Sequence, residues 1–359
     1  MGLLQFKIVL GPIAIAIACL GSPIAFSQAN ETEAIVPQNL LKLIHTAEVQ
    51  RELGLEGDER LLVILRDIDR VWWPARILPE AKQVETIQGL EKKLLDALKV
   101  ILPPAKLRRL REIEVQSQGT RSLIRPEIAK AVGLNNQQLL TVKTAFAETD
   151  AIARNLAAKT GGDSDLEKQL KSARDEEQQA INGLLTASHR QALGKLIGET
   201  FDTTSLKRIY PLAPELTDSG EWAGSGRASL ESERGKVVLV HFYAFQCSNC
   251  IANFEHYKRW HQSLSKKGVT VIGIQTPETQ EERDPTLVKK AATKKGFEFP
   301  VLIDLKSTNW DAWGNTMWPT VYVIDKNGYI RLWWQGELNW QGATGDKTIE
   351  KLIDDLLAE

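Results

Sequence analysis

Two patterns of apolar spacing divide the chain. From about Asn39 to Phe201 apolar residues recur at helical intervals, aromatics are few, and Gly and Pro fall mostly where they would end a helix, which predicts an all-α region. Residues 48–55 (Glu-Val-Gln-Arg-Glu-Leu-Gly-Leu) recur as 127–134 (Glu-Ile-Ala-Lys-Ala-Val-Gly-Leu) with the apolar positions in step, and 101–110 are matched in spacing by 184–193. A unit of about two long helices with connections therefore occurs twice. Two copies fall short of the roughly three repeats a solenoid needs, so a compact helical bundle is expected.

Helical periodicity stops between Phe201 and Lys236, where Pro211, Pro214, Gly220, Gly224, Gly226 and Gly235 mark a linker. An unbroken apolar, β-branched run at 237–243 then predicts a buried parallel strand. An amphipathic helix over 251–264 and a second buried strand over 269–274 follow. The predicted class is α/β in this half, a central mixed sheet flanked by helices, preceded by an all-α domain with an internal duplication. The expected boundaries are a leader at 1–29, a helical domain at 30–205 and the α/β domain at 206–359.

Charge narrows the field little: 45 Lys and Arg stand against 46 Asp and Glu among 359 residues, so no overall field draws nucleic acid or an acidic lipid surface. The N-terminus says more. Lys7, the apolar run 8–18, and Ser27-Gln28-Ala29 read as a secretory signal peptide cleaved after Ala29. That run is shorter than the ~20 residues needed to span a bilayer as a helix. Lipid attachment at Cys19 is the alternative, and only then is a membrane partner expected. The implied location is exported and periplasmic, where disulfides persist, with a lipoprotein as the alternative. With the leader removed, Cys247 and Cys250 are the only thiols left.

Those two cysteines enclose Ser248-Asn249 directly after the first buried strand, at the start of a helix. Unpaired N–H groups and the dipole at a helix N-terminus stabilise a thiolate there, below the ~8.5 of free cysteine. Cys247 is then the nucleophile that opens a substrate disulfide, and Cys250, one turn behind, resolves the mixed disulfide. The pair itself is the redox group, with no further cofactor or metal expected. Zinc would need two more ligands; His256 and His261 follow, but His261 lies about 16 Å along the helix from Cys250 at 1.5 Å per residue, too far for one tetrahedral ion. The basic run Lys106, Arg108, Arg109, Arg111 has acidic neighbours Glu112 and Glu114 and reads as a solvated helix face. Trp72-Trp73-Pro74 is either an exposed docking patch or a helix end packed on its neighbour. Residues 342–348 lack the spacing of a phosphate loop and read as a turn before a last helix at 348–357.

From about Leu212 onward the chain resembles the TlpA-like branch of thioredoxin-fold oxidoreductases, and in particular the thioredoxin-like domain of DipZ-type proteins. The residues that carry this are 241–250 (His-Phe-Tyr-Ala-Phe-Gln-Cys-Ser-Asn-Cys), 273–278 (Gly-Ile-Gln-Thr-Pro-Glu), 310–320 (Trp-Asp-Ala-Trp-Gly-Asn-Thr-Met-Trp-Pro-Thr) and 321–328. The resemblance implies that Pro319 is cis and lies beside the cysteine pair, and that Trp318, Pro319 and Thr320 meet the substrate chain. It also implies that 320–324 and 329–333, joined by 325–328, form the closing hairpin. The partners implied are protein thiols and disulfides, with an unidentified redox donor or acceptor. Where thioredoxins commonly carry a buried acid, this chain has His241. It has two readings, a proton acceptor for Cys250 or a hydrogen-bonded core histidine. Glu255 stands where relatives often have a helix-kinking proline. The Spy and CpxP type of helical protein is only loosely similar, at Leu134 and Leu185, and nothing is carried over from it. Two other functions compete: a thiol peroxidase, whose Pro-x-x-x-Thr/Ser-x-x-Cys motif is missing before Cys247, and a partner-binding helical protein with a redox-sensing module.

Overall fold

The structure is a computed structural model that describes residues 39–157 and 164–359. The expected leader, with Cys19 and Ala29, lies outside the described residues. Among the described residues no helix is long and apolar enough to cross a membrane. Contacts divide the chain into two compact units, one holding the described residues up to Glu56 with 91–208, the other 57–90 with 209–359.

Through residue 197 the elements are helical: α1 (Leu40–His45), α2 (Ala47–Leu53), α3 (Glu59–Ala75), α4 (Glu80–Ile101), α5 (Pro104–Gln118), α6 (Pro126–Val132), α7 (Asn136–Ala157), α8 (Ser164–Leu184) and α9 (Ala187–Ile197). The sequence repeat is a repeat of chain path. Helices α2 and α6 both end at a left-handed glycine, Gly54 and Gly133. In each, the next leucine's amide reaches back past the glycine, Leu55 to Gln50 and Leu134 to Ala129, and so satisfies a carbonyl the helix end leaves open. Two long helices follow each copy. The helical unit is cored by Val115, Leu123, Ile128, Val142, Phe146 and Ile181. Arg121 lies over the Phe146 ring and pairs with Asp150 and Glu177. Arg109, from the basic run, is engaged with Glu52 and Glu112.

By periodicity residues 57–90 read as part of the helical domain, but their contacts group them with the sheet unit. The physical reason is the end of α3. Trp73 is buried, its ring edge-on to Tyr322 and Trp333 at centroid distances of 6.0 and 5.0 Å. One turn earlier, Asp69 Oδ2 accepts the Leu212 amide at 2.9 Å. Of the two readings of Trp72-Trp73-Pro74, Trp73 follows the packed one.

The sheet unit contains β1 (Trp222–Ala223), β2 (Val237–Tyr243), β3 (Val269–Gln275), β4 (Val301–Ile303), β5 (Thr320–Ile324) and β6 (Ile330–Gln335), in the order β1-β4-β3-β2-β5-β6. Strands β2, β3 and β4 are parallel, and β1, β5 and β6 run antiparallel to their neighbours. Helices α10 (Ser248–Leu264), α11 (Pro285–Lys295), α12 (Thr308–Ala312) and α13 (Gly345–Ala358) complete it. Every residue of central β2 is buried. Its alternate side chains enter two cores: Val237, Leu239 and Tyr243 on the face covered by α10 and α13, and Val238, Val240 and Phe242 on the face that receives Trp73. Helix α10 buries Cys250, Asn253, Phe254, Tyr257 and Trp260, a stripe at helical spacing that lays the helix on the sheet. The hairpin β5–β6 turns through Asp325, whose Oδ1 accepts the amides of Asn327 and Tyr329. Much of the stretch read as linker is tied to this unit, through Leu212 bridged to Tyr329 and through β1 on β4.

Candidate active site

The site forms where β2 ends and α10 begins. Cys247 is the N-cap of α10, half-buried, and Cys250 sits in the first turn, fully buried. The Cys250 and Ile251 amides both donate to the Cys247 carbonyl, at 3.1 and 3.0 Å. Both sulfurs are thiols in this structure. The Cys250 thiol donates to the Cys247 sulfur and, helped by the backbone amides of Cys250 and Asn249, brings the Cys247 thiol down to about 7 against the opposing effects of burial and the Glu278 carboxylate. Burial, with the same hydrogen bond, drives Cys250 strongly upward. The pair is thus split into an acidic, reachable sulfur and a buried one that keeps its proton.

A pocket of about 530 Å³ opens beside Cys247, lined by Gln246, Ser248, Asn249, Glu278, Thr279, Thr316, Met317 and Trp318. The Trp318–Pro319 peptide bond is cis. The Trp318 ring stacks on Trp310 at 4.0 Å. Pro319 is buried, and its carbonyl accepts the Gly336 amide at 2.8 Å. Thr320 is fully buried with its hydroxyl donating to the Met317 carbonyl at 2.8 Å. Of the three residues expected to meet substrate, Trp318 lines the pocket, while Pro319 and Thr320 shape the turn that presents it.

His241 lies on β2, fully buried and away from the pocket lining. Its ring stacks on Tyr257 at 3.9 Å and on Tyr243 at 5.2 Å, with Phe299 edge-on at 5.4 Å. Neither ring nitrogen has a hydrogen-bond partner. Burial alone pushes the imidazole down to about 3. His256 and His261 take up other contacts, His256 with Arg259 and His261 with the Phe299 ring. Among the described residues no group of three His, Cys, Asp or Glu side chains is placed to hold a metal ion.

One residue of the site escaped the sequence reading. Glu282 is completely buried; its Oε1 accepts the Gln246 amide at 2.7 Å, and its Oε2 accepts the amides of Glu278 and Thr279 at 2.8 and 3.0 Å. The Thr279 hydroxyl also donates to Gln246 Oε1 at 2.8 Å. The Glu282 carboxylate therefore ties the residue before Cys247 to the loop after β3 that lines the pocket.

Comparison with known proteins agrees with this geometry. The AhpC/TSA family matches residues 213–332. Protein DipZ of Mycobacterium tuberculosis (strain CDC 1551 / Oshkosh) is 30% identical over 197 residues, 54% of this chain but 27% of DipZ, so the match spans about a quarter of that relative's length. Thiol-disulfide oxidoreductase YkuV of Bacillus subtilis (strain 168) is 28% identical over 148 residues, 41% of this chain and 94% of YkuV. Among solved structures, a thiol-disulfide isomerase from Corynebacterium glutamicum aligns at 25% identity over 41% of this chain and 97% of its own, with a TM-score of 0.35. The stretch that resembles the AhpC/TSA family thus holds the cysteine pair at its strand-to-helix junction.

Proposed function

We propose that the protein is an exported thiol-disulfide oxidoreductase that exchanges disulfides with protein substrates through Cys247 and Cys250. The observation that carries this reading is the asymmetry of the pair: a half-buried sulfur brought down to about 7 at the mouth of a pocket, with a buried protonated sulfur one turn behind it. The Cys247 thiolate attacks one sulfur of a substrate disulfide. That S–S bond breaks, a mixed disulfide forms, and the departing substrate sulfur takes up a proton. Cys250 then gives up its proton and attacks Cys247. The second substrate sulfur leaves as a thiol, and the two electrons now in the substrate have come from the cysteine pair, which is left as a disulfide. Run backwards, the same steps oxidise a dithiol substrate. The leader at 1–29 supports an exported location, and the relatives named as thiol-disulfide oxidoreductases support the chemistry.

An insulin-reduction assay driven by a small dithiol tests this. The full chain accelerates precipitation of the insulin B chain, and Cys247→Ser abolishes the acceleration. Equal activity in that variant would leave only a partner-binding role for the helical region. A peroxidase reading is disfavoured by the residues before Cys247, Phe242-Tyr243-Ala244-Phe245-Gln246, which lack the peroxidase motif.

For His241 the stacked aromatic setting favours the core reading, without the hydrogen bond expected of it. An imidazole pushed down to about 3 is a weak base, poorly matched to a thiol driven upward. His241→Phe, which keeps the stack, should leave the disulfide-exchange rate within about twofold by stopped-flow; a loss of 10²-fold or more would restore the proton-acceptor role.

A further inference from the structure

The pocket wall formed by Thr316, Met317 and Trp318 hangs from a segment that is itself held from far away in the sequence. Arg76, just past the end of α3, sends one guanidinium nitrogen to the carbonyls of Trp313 and Gly314, at 2.9 and 2.8 Å, and to the Tyr322 hydroxyl at 3.1 Å. Its other terminal nitrogen is anchored to the Trp73 carbonyl at 2.8 Å. The guanidinium carbon lies 3.8 Å over the Trp73 ring. Tyr322 in turn donates to Asn315 Oδ1 at 2.8 Å. Consecutive residues 313, 314 and 315 are thus fixed by one cation and its tyrosine, directly before the three that face Cys247.

Gly314 shows how close the approach is. Its φ is +59°, and a Cβ there would stand 2.9 Å from the Arg76 guanidinium and 3.0 Å from the Pro74 backbone. The acceptors are neutral oxygens, and burial lowers the guanidinium's affinity for its proton. Arg rather than Lys suits the position, since a planar fork can serve several carbonyls while stacking on an indole.

We propose that Arg76 is a positioning residue for substrate capture: it holds the segment that presents Thr316, Met317 and Trp318 beside Cys247, so that part of the substrate site is built by the N-terminal half of the chain. This rests on the reading that the pocket takes a substrate disulfide. Arg76→Met and Arg76→Lys in the full chain test it, with backbone hydrogen exchange as a readout independent of turnover. The expected result for Arg76→Met is exchange at least tenfold faster at 314–318 and unchanged in α10, with a KM for a disulfide-bonded peptide raised about tenfold. Alkylation of Cys247 by iodoacetamide, which needs no pocket wall, stays at the wild-type rate. Arg76→Lys recovers part of the loss.

Unchanged exchange at 314–318 in a folded Arg76→Met protein overturns the proposal, as does faster exchange with an unchanged KM. Should Arg76→Met fail to fold, Gly314→Ala presses on the same contact from the other side, and the same readings apply. A wild-type protein without Cys247-dependent turnover would sink the functional reading instead, and the exchange data alone would then decide whether Arg76 fixes the segment.

Discussion

At Glu282 one carboxylate decides where two loops lie. Its three backbone donors come from residue 246 and residues 278–279, while the Glu281 carboxylate reaches only the Gln246 side chain. In Glu282→Gln one oxygen becomes an NH2 group that faces an N–H, so a buried donor loses its acceptor. Unfolding free energy should fall by about 2 kcal/mol in urea titrations; an unchanged midpoint would mean the loops hold without it. Cys247 makes a second prediction. With its thiol at about 7, the sulfur is protonated and unreactive below that pH and anionic above it. The iodoacetamide rate should therefore climb about tenfold per pH unit on the acid side and level off above 7, whereas a midpoint near the ~8.5 of free cysteine would show that the Cys250 hydrogen bond and the amides beside it do not activate it. The cysteine pair was legible in the sequence because its chemistry is local, two thiols and a strand-to-helix junction within a dozen residues. Glu282 was not, because its partners are backbone amides up to 36 positions away and a glutamate beside Glu281 carries no pattern of its own.

Elements were legible in proportion to their length and burial. The run at 237–243 became β2 residue for residue, and the run at 269–274 gained only Gln275 as β3. Strands β1 and β4 went unread, since two or three residues are too few to show a period. Helix α10 begins at Ser248, three residues before its amphipathic pattern is visible, and β6 runs on to Gln335 past a register shift at Val323/Ile324. Helix α3 is the instructive case. Periodicity identified it as a helix, but periodicity is blind to which neighbour an apolar face will meet. Trp73 on Tyr322 and Trp333 settles the matter through contacts that sequence spacing does not encode. Trp73→Ala should lower the unfolding free energy of the sheet unit by about 3 kcal/mol, measured by denaturant titration followed at far-UV wavelengths. A change below about 0.5 kcal/mol would show that α3 merely rests on the sheet.

At the scale of the molecule, the duplication has been put to two uses. In the second copy, α7 and α8 lie wholly within the helical unit. In the first, α3 and the opening of α4 leave that unit and serve the sheet, so the two copies share a chain path but not a neighbour. The boundary expected at 205/206 lies three residues from the junction at 208/209, but the sheet unit also takes in 57–90. That unit is discontinuous in sequence, and Arg76 must wait for carbonyls that come 237 and 238 residues later. At synthesis rates of about 5–20 residues per second, α3 leaves the ribosome on the order of ten to fifty seconds before its acceptor exists. Throughout that interval the Trp73 face lacks Tyr322 and Trp333, the rings that bury it in the finished protein.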